Sequence, residues 1–527
     1  MAGRELRIAG GIAAAAVTLG VAEIVAVFIS LDSTPLQAIG STIVDHTPDG
    51  LREWVIQRFG TKDKLVLFVS MGVVALLVAG LAGLVERVRR PVGSALFAVL
   101  GLVALIAAVS RPHAPWTWAL PSLIGAWAGI MVLRTLIRRI VDFDAATAAV
   151  AVTATDITGD AEKAAAEADS GIALERRLVM RGIGIALAAG AAAGVVGRVL
   201  GARRHDVSGE RAEVRLPPPA SPQVEVDPAA DLRIPGLPSY LTPNSDFYRI
   251  DTALTVPQVS KDDWSLRIHG MVDREIRINY TDLGSRQAIE RLVTLTCVSN
   301  PVGGDLIGNA SWLGYRLDEL LAEAGPHPDA DMVLSRSIDG FTAGSPLAAL
   351  TDGRDAMLAV GMNGEPLPTA HGYPARLVVP GLYGYVSATK WVTELEITRF
   401  DRAQAYWTRR GWSERGPIKT GTRIDTPGSG KLAAGRITVA GVAWAQHRGI
   451  RAVEVRVDNG EWQPARLAAE PSIDTWRQWA FDWDATPGPH TLWARSTDGD
   501  GVVQTADIAG EVPDGATGYA SRFVRIG

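Results

Sequence analysis

Hydrophobic positions along this chain follow two regimes. Through the first 200 residues they form long unbroken runs, and beyond them short alternating ones. Five runs approach the roughly 20 apolar residues needed to cross a hydrocarbon layer: Ile8–Leu31, Leu65–Val85, Gly93–Val109, Trp116–Leu133 and Leu178–Leu200. The third is short and the fourth holds Pro121, yet five such runs in so short a stretch are hard to bury in any soluble core. The pattern predicts a five-helix transmembrane anchor over residues 1–204. The spans show no obvious acidic or histidine relay, which favours anchoring over transport.

Basic residues flanking the spans set an orientation. Arg4, Arg7, Arg87, Arg89, Arg90, Arg134, Arg138, Arg139, Lys163, Arg176 and Arg177 fall on one side. Arg52, Arg58, Lys62, Lys64, Arg111, Arg203 and Arg204 fall on the other. The bias puts the N-terminus in the cytoplasm, and five crossings then place everything after residue 200 outside. Glu175-Arg176-Arg177-Leu178-Val179-Met180-Arg181, just before the last span, resembles a twin-arginine export signal; an ordinary positive flank is the alternative. The alanine-rich connection from Asp142 to Glu175 reads as a cytoplasmic helical excursion or a mobile loop. Residues 205–235, with Pro217, Pro218, Pro219, Pro222 and Pro228, read as a semi-extended tether.

After the tether the periods shorten. Across residues 236–405, Trp264–His269 and Arg291–Cys297 read as strands, Leu317–Ala324 as a helix and Arg376–Val379 as a buried strand: an α+β domain. Across residues 418–527, Val453, Val455 and Val457 alternate with charged residues into the turn Asp458-Asn459-Gly460. Trp476, Trp479 and Trp483 follow, then Thr491–Ser496, predicting an immunoglobulin-like β-sandwich with those tryptophans in its core.

Composition narrows the chemistry. The 527 residues allow two or three domains, and a net charge of -5 gives no reason to expect nucleic-acid binding. The single cysteine, Cys297, excludes an intrachain disulfide, a C-x-x-C-H haem attachment and any cysteine-only cluster. It ends a strand and opens into Val298-Ser-Asn-Pro-Val-Gly-Gly-Asp-Leu-Ile-Gly-Asn-Ala310, a loop whose backbone amides can approach an anion. A thiolate there suits a transition metal, whereas physics alone favours an inert buried cysteine.

The wider motif decides otherwise. Thr296-Cys297-Val298-Ser299-Asn300, Gly303-Gly304 and Asn309-Ala310-Ser-Trp312-Leu-Gly314 precede Met362-Asn363-Gly364-Glu365-Pro366. His371-Gly372-Tyr373-Pro374-Ala375-Arg376, Val379-Pro380-Gly381 and Ser387-Ala-Thr-Lys390-Trp391 follow. In that order they resemble the sulfite-oxidase family of molybdenum enzymes, as do residues 418–527 its immunoglobulin-like dimerisation domain. The resemblance covers about residues 236–527. It implies a molybdenum–molybdopterin cofactor with Cys297 bound to the metal, Asn300, His371, Arg376, Ser387 and Lys390 around the pterin and its phosphate, and Arg249 near an oxyanion substrate. Tyr383 and Tyr385 are candidates to line the pocket, structural tyrosines being the alternative.

Two departures bear on substrate. Phe341 stands where sulfite-oxidising members carry a tyrosine, so that hydroxyl is lost. Ser299 stands where methionine-sulfoxide reductases carry an acid. The reading is oxygen-atom transfer on a small oxyanion or sulfur-containing substrate outside the cytoplasm. No haem is expected in this chain, an external cytochrome or quinone system would carry electrons, and the last domain would form a homodimer. The alternatives are a sulfoxide reductase with the same cofactor and an exported non-catalytic scaffold.

Overall fold

The structure is a computed structural model that describes residues 2–59, 63–112, 114–153, 161–428 and 430–527. It divides into a helical unit, residues 1–206 with 253–255, and a β-rich unit, residues 207–252 and 256–527.

The helical unit contains α1 (Ala2–Ala26), α2 (Pro35–His46), α3 (Asp49–Phe59), α4 (Asp63–Val85), α5 (Val92–Val109), α6 (Ala119–Thr153) and α7 (Ala161–His205). Five helices, Gly3–Ala26, Asp63–Val85, Val92–Val109, Trp116–Ala148 and Ala173–Glu213, are long and apolar enough to cross a membrane. Small residues let their backbones approach. A Cβ on Gly83 would stand 2.0 Å from Arg7 O, and one on Gly20 2.1 Å from Gly190 O. Bulky side chains point away from the packed face, as Leu65, Val69, Val73 and Leu76 do along α4.

Three expectations change here. The first span stops at Ala26 rather than Leu31, because Ser30 caps a turn by accepting the Asp32 N–H at 3.2 Å and Pro35 then starts α2. α2 and α3 had no counterpart in the hydropathy pattern. That same first span carries an acid, Glu23, whose carboxylate lies 3.9 Å from Arg198. The Arg176-Arg177 motif lies within α7, whereas Lys62 and residues 154–160 of the expected excursion fall outside the described residues.

In the β-rich unit the proline-rich stretch is laid against its neighbours rather than left free. It begins with α8 (Ser208–Glu213). Arg211 then donates from Nε to Leu367 O at 2.8 Å. Ala220 N–H donates to Ala288 O at 2.8 Å, and Leu232 N–H to Gln478 Oε1 at 2.7 Å. Proline removes donors from this segment but leaves carbonyls that accept, so Glu290 and Ala469 donate to Ser221 O and Ala229 O.

Ten strands follow: β1 (Ser265–Gly270), β2 (Ile276–Asn279), β3 (Ile289–Thr296), β4 (Ile307–Arg316), β5 (Met332–Ser337), β6 (Thr342–Pro346), β7 (Met357–Met362), β8 (Glu365–Pro366), β9 (Arg376–Val378) and β10 (Val392–Thr398). They form two sheets, β2-β1-β10-β5-β6 and β3-β4-β7-β8 with β9 beside β7. β4 is buried along nearly its whole length, as its run of apolar and small residues requires. The expected helix Leu317–Ala324 is present and ends at Gly325, φ +68°, where a left-handed residue is needed.

The C-terminal part holds nine more strands. They are β11 (Gly421–Thr426), β12 (Lys431–Leu432), β13 (Gly435–Trp444), β14 (Ile450–Val457), β15 (Gln463–Pro464), β16 (Arg466–Leu467), β17 (Arg477–Ala485), β18 (Gly488–Asp498) and β19 (Ala520–Ile526). The sheets β11-β13-β17-β16 and β12-β19-β18-β14-β15 share one core, in which Val453, Val455, Trp479, Trp483, Leu492 and Val524 meet.

Candidate active site

The geometry starts from the pairing of β3 with β4. Their register closes at Thr296 opposite Ile307, so Cys297 is the first residue of the connecting loop. Its N–H donates to Leu306 O at 3.0 Å, and Asn300 Oδ1 accepts the Leu306 N–H at 3.0 Å, cinching the loop at its base. Glycine is required inside: a Cβ on Gly304 would meet Asn300 Oδ1 at 2.3 Å. The Cys297 side chain is half-buried, with Ser299 Oγ 2.9 Å from its sulfur. Burial pushes the thiol up, opposed by Ser299 and the neighbouring amides.

The sulfur lines an open cleft, walled on one side by Asn300, Val302 and Tyr383 and on the other by Lys419, Trp444 and Gln504. The second wall comes from the C-terminal part, Trp444 from β13, Gln504 from the loop after β18 and Lys419 from the segment before β11, which the motifs did not announce. Among the described residues, no group of three or more histidine, cysteine or acidic side chains forms a metal set. A metal held here therefore meets one protein sulfur and brings its other ligands with it.

A cationic cluster lies nearby: the Tyr248 phenol, raised first by burial, is within electrostatic reach of both Cys297 and Arg376. Arg376, at the start of β9, is 5% exposed. Its guanidinium donates only to carbonyls, His371 O at 3.0 Å, Ala388 O at 3.3 Å and Leu377 O at 3.4 Å, and lies 5.0 Å over the Trp312 ring. Among the described residues no carboxylate pairs with it, and burial pulls its pKa down to about 10. A buried cation without an anion is costly, so an anionic group from outside the chain fits there.

Lys390 Nζ lies 2.8 Å from Asp251 Oδ2, which also accepts from Arg249 Nε at 2.7 Å. Burial first, against the opposing pull of Asp251, brings Lys390 down to about 8. His371 stays neutral: burial, then Arg376, holds it near 4, and its Nε2 lies 3.2 Å from Asn244 O. One carboxylate against Arg249, Lys390 and Arg376 leaves the cluster net positive, which suits a phosphate.

The structure thus gathers Arg249, His371, Arg376 and Lys390, and sets Cys297 and Asn300 in the adjoining cleft. Two other expected residues make contacts of their own. Ser387 is fully buried and directs its hydroxyl to Leu382 O (3.2 Å) and Tyr383 O (2.9 Å), so its proton is already engaged. Phe341 packs on Tyr406, ring centroids 5.8 Å apart. Tyr383 lines the cleft, whereas Tyr385 donates to Ser413 O at 2.6 Å, as a structural tyrosine would. Asp251 and Tyr248 were missed; both flank Arg249 in Phe247-Tyr248-Arg249-Ile250-Asp251, where an isolated acid gives no sign that it will face two cations.

Comparison with known proteins places this architecture among the molybdopterin-dependent oxidoreductases. Residues 253–407 match the family described as oxidoreductase molybdopterin binding domain. Human mitochondrial sulfite oxidase is 28% identical over 303 residues, covering 48% of this chain and 55% of that protein. Chicken sulfite oxidase is 28% identical over 294 residues, 47% of this chain and 63% of that one. An uncharacterized oxidoreductase of Bacillus subtilis, YuiH, is 31% identical over 153 residues, 29% of this chain and 74% of that protein. The sulfane dehydrogenase SoxCD of Paracoccus pantotrophus aligns at 25% identity with a TM-score of 0.48, over 55% of this chain and 82% of that one. The chain belongs to the sulfite-oxidase family of molybdopterin oxidoreductases. It spans little more than half the length of the mammalian sulfite oxidases it matches.

Proposed function

We propose that this chain oxidises a small oxyanion or sulfur-containing substrate by oxygen-atom transfer. In the same reading a five-helix membrane anchor carries the catalytic unit outside the cytoplasm, two copies pair through an immunoglobulin-like C-terminal domain, and electrons leave to an external carrier. One observation carries the site: the only thiol opens into a cleft beside a buried guanidinium that lacks a counter-anion.

The bound molybdenum–pterin group supplies two-electron oxygen-atom transfer. Cys297 offers the protein's sulfur to the metal, and Ser299 orients that sulfur from 2.9 Å. Arg376 and Lys390 would hold the phosphate and pterin by charge-assisted bonds, with the Arg376 guanidinium 5.0 Å over the Trp312 ring. Neutral His371 offers a hydrogen bond without adding charge. Arg249, more exposed than its partner Asp251, draws an oxyanion toward the cleft. The basic flanks of the helices support a cytoplasmic N-terminus, and Arg176-Arg177 supports twin-arginine export.

Molybdenum and pterin content measured in the wild type and Cys297→Ser tests this reading. The serine variant is expected to keep pterin through the basic cluster and to lose turnover to background. Full activity in that variant would remove the sulfur from the reaction. Sulfite with ferricyanide, against sulfoxides with a reduced dye, separates oxidation from the sulfoxide-reductase direction.

A further inference from the structure

The chain returns to the helical unit long after α7 has ended. Residues 253–255 belong to that unit, while Thr252 and Val256 on either side belong to the β-rich one. Side chains of the helical unit hold this short strap. Lys64, at the start of α4, donates from Nζ to Ala253 O, and Ala253 is buried. Gln37 of α2, 4% exposed, donates from Nε2 to Thr255 Oγ1 at 3.1 Å. Thr255 Oγ1 donates in turn to Asp32 Oδ1 at 3.4 Å. Leu254 lies over Gly40, where a Cβ would stand 3.0 Å from its Cδ1.

Both ends of the strap run into the cationic cluster and its supports. Two residues upstream, Asp251 takes Lys390 at 2.8 Å and Arg249 at 2.7 Å. Thr252, in between, donates to Asp339 Oδ2 at 3.3 Å. Downstream, Ser260 Oγ and the Lys261 N–H donate to Glu210 at 2.6 and 2.8 Å. Glu210 also accepts from the Tyr373 hydroxyl at 2.6 Å, inside the stretch that carries His371 and Arg376. Two residues of chain span at most about 7 Å and leave little slack to absorb a displacement. A drift of about 1 Å at Asp251 would stretch its 2.8 Å bond to Lys390 past hydrogen-bond range. Arg249 would then lose the direction that the same carboxylate gives it.

We propose that the helical unit does more than anchor: Asp32, Gln37 and Lys64 are positioning residues that clasp Ala253–Thr255 and so hold Asp251, Arg249 and Lys390 in place for an anionic group. The inference rests on the oxygen-atom-transfer reading for what that cluster serves. It assigns to the helices a part in binding that neither the motifs nor the β-rich unit by itself supplies.

The test uses the full-length protein in detergent. Thr255→Val keeps the shape and removes the hydroxyl that Gln37 and Asp32 share; Thr255→Ser keeps the hydroxyl. Thr252→Val removes the bond to Asp339 instead. Gln37→Met breaks the clasp from its other side, so the test does not depend on one variant folding. Local opening is read as the rate of tryptic cleavage after Arg249 in the native protein, which needs no bound cofactor. Turnover is read with sulfite and ferricyanide. Thr255→Val and Gln37→Met should each raise the cleavage rate about fivefold, the factor that one ordinary hydrogen bond represents. KM should rise by a similar factor with kcat within about twofold, and Thr255→Ser should match the wild type in both. Wild-type cleavage and KM in Thr255→Val and Gln37→Met overturn the proposal. So does an effect confined to Thr252→Val, since the β-rich unit would then hold the loop unaided. A fall in kcat at unchanged KM overturns it as well, because the cluster is argued to act on binding. Wild-type protein that turns over with no acceptor or donor would sink the oxygen-transfer reading instead, and the cleavage rates would still decide the clasp.

Discussion

The two units of this chain solve packing in opposite ways. In the helical unit the contacts are small, with glycine and alanine bringing backbones together while leucines and valines face outward. In the β-rich unit the bulk is inside: Trp312, Trp391, Trp476 and Trp479 are fully buried. The contrast fits the surround proposed for each unit. In an apolar surround, burying a leucine gains nothing over leaving it outside, so close backbone approach is what holds helices together. In water the gain lies in burying large apolar surfaces.

The sharpest break between the units would come from the aromatic core. Trp479→Ala is expected to cost about 3–5 kcal/mol, read as a lower denaturation midpoint of the β-rich unit with the helical signal unchanged. A midpoint shift below about 1 kcal/mol would mean the two sheets do not depend on that core.

Next comes pH, which acts in opposite senses at two histidines of the β-rich unit. His371 is held near 4 in the fold, whereas an unfolded imidazole titrates near 6.5. Below about 6.5 the unfolded chain binds a proton that the folded one refuses. Stability of the cofactor-free protein should therefore fall by about 3 kcal/mol between about pH 6.5 and pH 4. His490 is raised by its hydrogen bond to Asp458, 2.8 Å away, so its contribution is present in acid and fades as pH climbs through its raised value. Thermal midpoints against pH check both: His371→Gln should flatten the acid limb and His490→Asn the neutral one. Parallel curves for all three proteins would rule out both assignments.

The helical unit provides the smaller effects. Gly83→Ala sets a methyl 2.0 Å from a backbone oxygen and should cost about 1–3 kcal/mol of thermal stability in detergent. Leu76→Ala, on an outward face, should change it by no more than about 0.5 kcal/mol. If the leucine change cost as much as the glycine change, the inside-out packing would be wrong.

Much of the site could be read from residue order. The loop after Cys297, His371, Arg376 and Lys390 were named from their motif, and the structure gathers the last three with Arg249 into one cationic cluster. The rest depends on long-range meetings. Asp251 becomes a counter-ion only because the bend before β10 sets Lys390 beside it. The proline-rich stretch looks like a tether until Arg211 and Leu232 find partners over a hundred residues away.

By itself the sequence determined the periods: long apolar runs that must form helices, alternating runs that must pair as strands, and one cysteine at a strand end. Those are local properties, set by side-chain chemistry and spacing. Only tertiary structure decided that a loop beyond residue 498 walls the cleft of Cys297, that Arg376 is buried without an anion, and that Ser387 turns inward. Such features are energies of contact between distant segments, and no window along the chain contains both partners.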